Sequence, residues 1–349
     1  MAGTETTEVL LAALRRFAAE GRDATLLGNM QRTLSRAVQL LATTTSAASL
    51  FMEFPLAGPA HADMGLGLCD KVLCLGDEAT AQWPELAGSF AWAASNGWLE
   101  DFIVAFDGDD LEKDVRATGL YFKHRGNMAA ARDFLCRSGA SDLSDGYATA
   151  ACRLPKGWLP LYAGNYHGRD HGAYRGRKQS VVRLEAALEP AAGEALAHDA
   201  GCLHAELAQL GFPDADDAKA GLSSVCARLL AFGLPATVQL DVHKDGSLAG
   251  TFGLTLFFTG PNDARTALFR PHGAASEALR CLEAMGVADD RWQGAVRGSF
   301  ALPVPLTGKD GTVHVVGATC RPDCVKLKWT DGHLAPARWY QVVRVAPLG

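Results

Sequence analysis

The sequence lacks the features of a membrane protein and of a general nucleic-acid-binding protein. No hydrophobic run in it approaches the roughly 20 residues that a helix needs to cross a bilayer. Its 33 Lys and Arg residues are outnumbered by 39 Asp and Glu residues, and the formal net charge is -6. Nucleic-acid binding generally requires a basic surface that replaces counterions. The N-terminus, with Glu5, Glu8, Arg15 and Arg16, lacks the order of a signal peptide, so we expect a cytoplasmic protein.

Common catalytic and metal-binding motifs are also missing. The chain has no P-loop, no G-x-G-x-x-G after a predicted strand and no G-x-S-x-G elbow. Its nine cysteines are odd in number and scattered, which does not favour a disulfide framework. Cys320 and Cys324, together with Cys69 and Cys74, could be imagined as a zinc site, but their spacing fits no standard zinc pattern. We therefore interpret them as free thiols.

Hydrophobic periodicity divides the chain into helices and strand pairs. Apolar residues at three- and four-residue steps predict N-terminal helices within residues 6–42. Five predicted strand pairs follow, with helices between them: 49–56 with 64–75, 102–107 with 117–125, 159–166 with 180–188, 237–243 with 250–259, and 313–320 with 324–330. A turn at Pro322 is expected to join the last pair, and a short helix is expected after it.

Five helix-flanked hairpins predict a closed antiparallel barrel. Parallel-sheet folds alternate one strand with one helix, and this sequence does not. Ten antiparallel strands can close, and closure removes exposed strand edges. We expect one α/β domain of the α+β type over residues 1–349, a ten-stranded antiparallel β-barrel of five α-β-β-α units with its helices outside.

Alternation within the strands predicts which side chains face the barrel interior. In the last predicted strand Val325, Leu327 and Trp329 share one face, and Lys326 and Lys328 share the other. The apolar face suits a covering of helices, and the polar face then lines a solvated interior. The same parity places on the inner face Lys123 and Arg125 from the fourth predicted strand and Arg183 from the sixth. The alternative is that these basic residues lie outward in solvent.

In the order and number of its elements the chain resembles the ABBA aromatic prenyltransferases over nearly its whole length. In Phe51-Met52-Glu53-Phe54, Glu53 stands where the indole-prenylating branch has a Glu that binds the ring N–H. Tyr121-Phe122 fits the end of that branch's Lys–x–Tyr pattern, although Gly119 occupies the Lys position. The chain departs from the branch in having only six Tyr and in lacking an Arg in the second strand.

The resemblance implies transfer of a prenyl group from dimethylallyl or a longer allylic diphosphate to an aromatic acceptor. The acceptor would be an indole or phenol, either a small molecule or part of a peptide. Fixed cations would stabilise the departing diphosphate, and aromatic faces would shield the allylic cation. The implied diphosphate-binding residues are Lys123, Arg125, Arg183, Lys326 and Lys328, and the implied shielding residues are Tyr121, Tyr162 and Tyr166. Glu53 would orient the acceptor and accept its proton, with Asp241 and His243 as alternative bases.

Several alternatives stay open at this point. Glu53 could instead form a structural salt bridge within the barrel. Mg²⁺ could hold the diphosphate through Asp107 and Asp109, although Asp-rich turns are common without metals. The Gly-rich basic segment Tyr166–Arg177 could be a lid or an ordinary exposed loop. A second hypothesis is a non-catalytic protein of similar shape that presents a peptide precursor to another enzyme, but a binder of neutral peptide does not need a basic inner face.

Overall fold

The structure is a computed structural model, and one large sheet dominates it. It describes residues 9–10, 12–13, 16, 47–60, 62–68, 81, 84–98, 101–106, 119–166, 181–258, 273–307, 311–330 and 332–347. Within the N-terminal helices predicted over 6–42, residues 9, 10, 12, 13 and 16 are described, and each of them is helical.

Strands and helices follow one another in groups along the chain. The described strands are β1 (Ala47–Pro55), β2 (Asp63–Leu68), β3 (Phe102–Phe106), β4 (Gly119–Lys123), β5 (Trp158–Tyr166), β6 (Val182–Leu188), β7 (Ala236–Val242), β8 (Leu248–Phe257), β9 (Phe300–Thr307), β10 (Val313–Thr330), β11 (His333–Leu334) and β12 (Arg338–Pro347). The described helices are α1 (Pro84–Asn96), α2 (Met128–Arg137), α3 (Ser144–Cys152), α4 (Pro190–His198), α5 (Ala200–Leu210), α6 (Asp216–Leu230), α7 (Ala274–Ala284) and α8 (Arg291–Arg297).

Ten of these strands close into an antiparallel barrel. Strands β1 to β8 pair in sequence order, β8 pairs with β10, β10 pairs with β12, and β12 returns to β1. The predicted ten-stranded antiparallel barrel is therefore confirmed. The remaining strands β9 and β11 add to the barrel by pairing with β10.

The hydrophobic core lies between the outer face of the barrel and the helices. Leu50, Met52 and Phe54 alternate along β1 and are fully buried on this face. Helix α1 places Phe90 edge-on against Phe102 of β3, with ring centroids 6.1 Å apart. Burial of side chains of this size contributes about 1.5–3 kcal/mol each, so the apolar set of each strand is directed outward. Residues of the opposite parity are left to line the barrel interior.

The predicted hairpin at the end of the barrel is wrong. Residues 313–320 and 324–330, expected as two strands joined at Pro322, form the single strand β10. The first part of β10 pairs with β9 as far as Cys320, and the last part pairs with β8 from Cys324 onward. Pro322 lies in the interval where the neighbouring strand changes, beside a register shift in the pairing with β12. A proline, which has no N–H, is tolerated at such an interruption.

The helix expected after that hairpin is also wrong, because the segment forms β12. Trp339, Gln341 and Val343 are fully buried on the outer face, and they alternate with Arg338 and Tyr340, which are half-buried. A period of two is that of a strand, not of a helix. Strand β12 is thus the tenth strand of the barrel, and it pairs with β10 on one side and with β1 on the other.

The helical segment between β6 and α6 is divided into α4 and α5 at Asp199. Asp199 has an extended backbone, and its carboxylate accepts a hydrogen bond from the N–H of Gly201 at 2.8 Å. An Asp in this position caps the start of a helix, so α5 begins anew there. In the described part of the chain, no helix combines the length and hydrophobicity needed to span a bilayer.

Candidate active site

The contacts of β3 and β4 identify the face of the barrel that looks inward. Phe102 of β3 contacts Phe90 of α1, and Phe122 of β4 contacts Phe134 of α2 with ring centroids 5.5 Å apart. The face that carries these phenylalanines is therefore the outer one. Because successive side chains alternate, residues such as Tyr121 face the barrel interior, called the lumen below.

Strand register carries this parity around the barrel. Tyr121 of β4 lies opposite Gly164 of β5, Gly164 lies opposite Arg183 of β6, and Arg183 lies opposite Asp241 of β7. A second row in the lumen consists of Lys123, Tyr162, Glu185, Gln239, Gly253 and Lys328. Lys326 lies two residues before Lys328, opposite Thr255 of β8. The lumen thus collects Tyr121, Arg183 and Lys326 from three separate strands.

Arg183 and Asp241 form a buried ion pair in the lumen. The Nε of Arg183 donates to one carboxylate oxygen of Asp241 at 3.0 Å, and its Nη2 donates to the other at 3.3 Å. Their side chains are 8% and 4% exposed. Burial alone would raise the pKa of Asp241, but the charges of Arg183, Lys328 and Lys326 outweigh burial and hold that pKa below its usual value. Asp241 is thus an ionised carboxylate that fixes the Arg183 guanidinium.

Lys326 and Lys328 lie on the inner face of β10. Lys326 is 7% exposed, and its Nζ donates to the phenol oxygen of Tyr340 at 3.5 Å. Burial lowers the pKa of Lys326 to about 8, with the charge of Glu53 acting against the shift and those of Arg183 and Lys328 adding to it. The ammonium of Lys326 is therefore present at neutral pH and is lost above about pH 8.

Tyrosine rings accompany the cations. The guanidinium of Arg183 lies 5.1 Å from the ring centroid of Tyr166, and the Nζ of Lys123 lies 5.6 Å from that of Tyr162. The rings of Tyr121 and Tyr166 stand perpendicular, with centroids 6.0 Å apart. Burial raises the pKa of Tyr162, so its phenol stays neutral. The π faces of such rings attract positive charge.

Glu53 lies on the inner face of β1 within a hydrogen-bonded network. The hydroxyl of Tyr340 on β12 donates to the Oε2 of Glu53. The Nε of Arg338 lies 4.0 Å from the Oε1 of Glu53, and the Nη1 of Arg338 bonds Asp63 of β2 at 3.3 Å. Arg338 therefore stands between two carboxylates that are opposite each other on neighbouring strands. Glu53 therefore takes part in an ion pair, as one hypothesis predicts, and it lies on the inner face of the barrel, as the other hypothesis requires.

Several lumen residues were missed by the sequence prediction. They are Glu185 on β6, Arg321 and Asp323 on β10, and Arg338, Tyr340 and Arg344 on β12. The sequence pattern predicts a turn around Pro322, which includes Arg321 and Asp323, and a helix over the β12 residues. The alternation of Arg338, Tyr340, Val342 and Arg344 was the signal that could have found the last group.

Interactions of Asp323 show that opposite walls of the barrel face each other. Burial raises the pKa of Asp323, and the charges of Arg344, Arg321 and Lys123 act in the other direction. Lys123 belongs to β4, which is five strands from β10 in either direction around the barrel. Its influence on Asp323 therefore acts across the lumen. Glu185, on the wall between them, accepts hydrogen bonds from Thr237 and Gln239, each at 2.7 Å.

The structure does not place Arg125 and His243 as expected. Strand β4 ends at Lys123, and Arg125 lies in the following turn with a φ of 50°, a side chain that is 65% exposed and an ion pair with Asp101 at 2.8 Å. The predicted inner-face position of Arg125 is therefore wrong. Strand β7 ends at Val242, so His243 belongs to the next turn, where its N–H donates to the carbonyl of Ser247 at 2.9 Å. In both places the sequence pattern continues past the residue at which the strand ends.

The sequence hypotheses about metals have different outcomes. Asp107 and Asp109, and the segment 167–177 that follows Tyr166, lie outside the described residues. Cys69 and Cys74 lie outside them as well, while Cys320 faces outward and Cys324 faces the lumen. Within the described residues, no group of three or more His, Cys, Asp or Glu side chains is placed to hold a metal ion.

Replacing Gly164 with Ala is expected to displace Tyr121 from its place in the lumen. A Cβ at Gly164 would lie 2.7 Å from two ring carbons of Tyr121 and 3.1 Å from the Cβ of Arg183. Such crowding costs about 1–3 kcal/mol of unfolding free energy, which urea denaturation measures. The matched control is Gly193→Ala in α4, where an added Cβ meets no described atom within 4 Å. That change is expected to stabilise by about 0.5–1 kcal/mol, and similar values for the two variants would contradict the placement of Tyr121.

Comparisons with known proteins rest on structure. No protein-family model and no curated protein matches the chain. The apo form of the prenyltransferase PriB is similar over 98% of both chains, at 12% identity and a TM-score of 0.53. The complex of PriB with product diphosphate is similar over 98% of both chains, at 12% identity and a TM-score of 0.50. At these identities the likeness is one of fold, and this chain has the ten-stranded barrel fold of the ABBA aromatic prenyltransferases.

Proposed function

We propose that the protein transfers a prenyl group from an allylic diphosphate to an aromatic acceptor bound in the lumen. The observation that carries this proposal is the gathering of Arg183, Lys326 and Lys328 in one enclosed region. Strand register places them on the inner faces of β6 and β10, where Lys328 shares a row with Glu185, two residues after Arg183. The charges of all three also act on Asp241. The fold shared with prenyltransferases such as PriB supports the same assignment.

The cations would act on the leaving group. When the C–O bond of an allylic diphosphate breaks, the electron pair stays on the diphosphate and an allylic cation forms. We assign Arg183, Lys326 and Lys328 to the diphosphate, with Lys123 from the opposite wall as a further cation. Charge-assisted hydrogen bonds from fixed donors stabilise such an anion most in a site with little water. Arg183 is held for this task by Asp241, so its guanidinium needs little reorganisation on binding.

The tyrosines and Glu53 would act on the other half of the reaction. The rings of Tyr121, Tyr162 and Tyr166 line the lumen near the cations and can shield the allylic cation through their π faces. The acceptor ring then forms a bond to the allylic carbon and loses a proton. We assign the proton to the carboxylate of Glu53, which would also hold the N–H or O–H of the acceptor.

The alternative base Asp241 fits the chemistry less well. Both of its carboxylate oxygens accept hydrogen bonds from Arg183, and its pKa is held low. The carboxylate of Asp241 is therefore already engaged by a fixed guanidinium and is not directed at an acceptor. We therefore assign Asp241 to the positioning of Arg183 and keep Glu53 as the base.

The proposal is tested by a search for the prenylated product. The protein is incubated with dimethylallyl diphosphate and with indole, tryptophan, phenol, tyrosine or peptides that contain Trp or Tyr. Each mixture is run with and without Mg²⁺, because Asp107 and Asp109 remain a proposed metal site. Mass spectrometry is expected to show an acceptor that has gained one C5H8 unit. Calorimetry with inorganic pyrophosphate is expected to show binding.

The same experiments separate this function from that of an accessory protein. A protein that only presents a peptide would bind peptide without binding pyrophosphate and would form no product with any acceptor. That outcome would overturn the proposed transferase. Pyrophosphate binding that is lost when Arg183 is replaced by Met, but retained when the exposed Lys244 is replaced by Met, would support it.

A further inference from the structure

Glu53 and Lys326 are joined through one side chain, Tyr340. Tyr340 lies opposite Glu53 in the β1–β12 pairing and opposite Cys324 in the β10–β12 pairing. Its hydroxyl donates to the Oε2 of Glu53, and its oxygen accepts from the Nζ of Lys326 at 3.5 Å. A phenol has one hydrogen to donate and lone pairs to accept, so both bonds can exist at once. The three groups form a chain from ammonium to phenol to carboxylate.

We propose that Tyr340 is a positioning residue, which holds the carboxylate of Glu53 and couples its charge to the ammonium of Lys326. The inference rests on the proposed function for what Glu53 and Lys326 do to substrates. The coupling itself is a property of the three side chains and does not require turnover. Tyr340 would thereby connect the part of the lumen that receives the acceptor with the part that receives the diphosphate.

The phenol is suited to this task because it stays protonated. Burial, followed by the charge of Glu53, raises the pKa of Tyr340 well above its usual value. The O–H is therefore available to Glu53 over the whole working range of pH. Arg338 holds the other side of the carboxylate, with its Nε 4.0 Å from the Oε1 of Glu53. Glu53 is thus held between a neutral donor and a cation, which fixes its orientation in the lumen.

Other charged and titratable groups also influence the titration of Lys326 and Glu53. Those facing Lys326 and Glu53 are Asp63 on β2, Arg183 and Glu185 on β6, Asp241 on β7, Cys324 and Lys328 on β10, and Arg338 on β12. Tyr121 on β4 and Cys324 also act on Tyr340 itself, and Tyr340→Phe retains all of these side chains. A change in titration in that variant is therefore assigned to the Tyr340 bonds.

Tyr340→Phe is expected to change the titration of both hydrogen-bond partners of Tyr340, Lys326 and Glu53. Lys326 loses an acceptor for its charged form, so its ammonium should release a proton at lower pH. Glu53 loses a donor to its charged form, so its carboxylate should take up a proton at higher pH. The range of pH in which both groups are charged therefore narrows from both sides. A side chain that only fills space would not produce this effect.

The primary test is an NMR titration of lysine side chains in the full chain, with the signal of Lys326 assigned by comparison with Lys326→Arg. In the parent protein Lys326 is expected to titrate near pH 8. In Tyr340→Phe its midpoint should fall by about half a pH unit, and in Glu53→Gln it should fall as well. In the double variant the fall should be smaller than the sum of the two, because both changes break the same chain. An unchanged or raised midpoint in Tyr340→Phe would overturn the proposal.

The secondary test is the pH profile of turnover. Tyr340→Phe is expected to lower kcat about tenfold, with the acid limb at higher pH and the alkaline limb at lower pH than in the parent protein. The matched control is Tyr147→Phe, which removes a buried phenol that bonds His124 outside the lumen at 2.6 Å. It is expected to lower thermal stability and leave both limbs in place. Identical profiles of the two variants would also overturn the proposal, whereas a parent protein without turnover would overturn the proposed function and leave the NMR titration to decide this one.

Discussion

Replacing Asp241 with Asn is expected to lower the free energy of unfolding by about 3–5 kcal/mol. The change leaves the guanidinium of Arg183 charged and buried without a carboxylate, and an uncompensated buried charge is costly. The ordinary surface ion pair between Arg132 and Asp145 provides the control, since both side chains are more than half exposed. Asp145→Asn should change stability by less than about 1 kcal/mol. Urea denaturation of both variants at pH 7 measures the difference, and equal costs would contradict the buried pair.

The same pair is expected to contribute to acid sensitivity. The pKa of Asp241 is lower in the folded protein than its ordinary value, so its stabilising effect is fully present above the unfolded pKa of about 3.9. It is lost as pH falls through the lower, folded pKa. The stability of the parent protein should therefore decline below about pH 4 more steeply than that of Asp241→Asn. Replacing Arg183 and Asp241 together by Met and Leu should recover most of the lost stability, because no buried charge is left unpaired.

Replacing Lys326 with Met is expected to lower kcat/KM for the allylic diphosphate by about 10- to 100-fold. A hydrogen bond to a charged group is worth about 1.5–3 kcal/mol, and each 1.4 kcal/mol corresponds to a factor of ten. Methionine keeps an unbranched chain of similar length and removes the charge. Lys244→Met, at an exposed position in the turn between β7 and β8, should leave kcat/KM unchanged. Steady-state kinetics with varied diphosphate measures both.

The pH dependence of that effect gives a second measurement. Since the pKa of Lys326 lies at about 8, its ammonium is present below that pH and is lost as pH rises through it. In the parent protein kcat/KM for the diphosphate should fall above about pH 8. Lys326→Arg keeps its charge there, because a guanidinium does not lose its proton in this range. If the parent and Lys326→Arg decline alike above pH 8, Lys326 is not the group responsible.

The inner face of the barrel was predictable where single strands alternate cleanly. Val325, Leu327 and Trp329 mark the outer side of β10, and that pattern alone directs Lys326 and Lys328 into the lumen. The number of barrel strands also agrees with the prediction, although the predicted ninth and tenth strands are the single strand β10 and the tenth place is taken by β12. Local periodicity is enough to predict the inner face because alternation depends on neighbours in sequence.

The rest depends on contacts between distant residues or on strand ends. From sequence alone Pro322 indicates a turn. Only the strand pairing shows that β10 continues through Pro322, with β9 paired before it and β8 paired after it. Arg125 continues the pattern of β4, but the chain turns at Gly126, whose φ is +83°. Glu53 and Tyr340 are 287 residues apart, and no local pattern relates them. The network at Glu53 therefore became visible only with the strand pairing.

Closure of the barrel ties the assembly of the cavity to the slowest kind of folding step. The free edge of β1 is covered only when β12 pairs with it, and this pairing closes a loop of nearly the whole chain. Pairings between such distant segments carry a large entropic cost and form slowly. Until they form, the carboxylate on the first strand has neither its phenol nor its guanidinium partner. Binding competence should accordingly appear together with the final native signal on refolding, and not with the earlier gain of secondary structure.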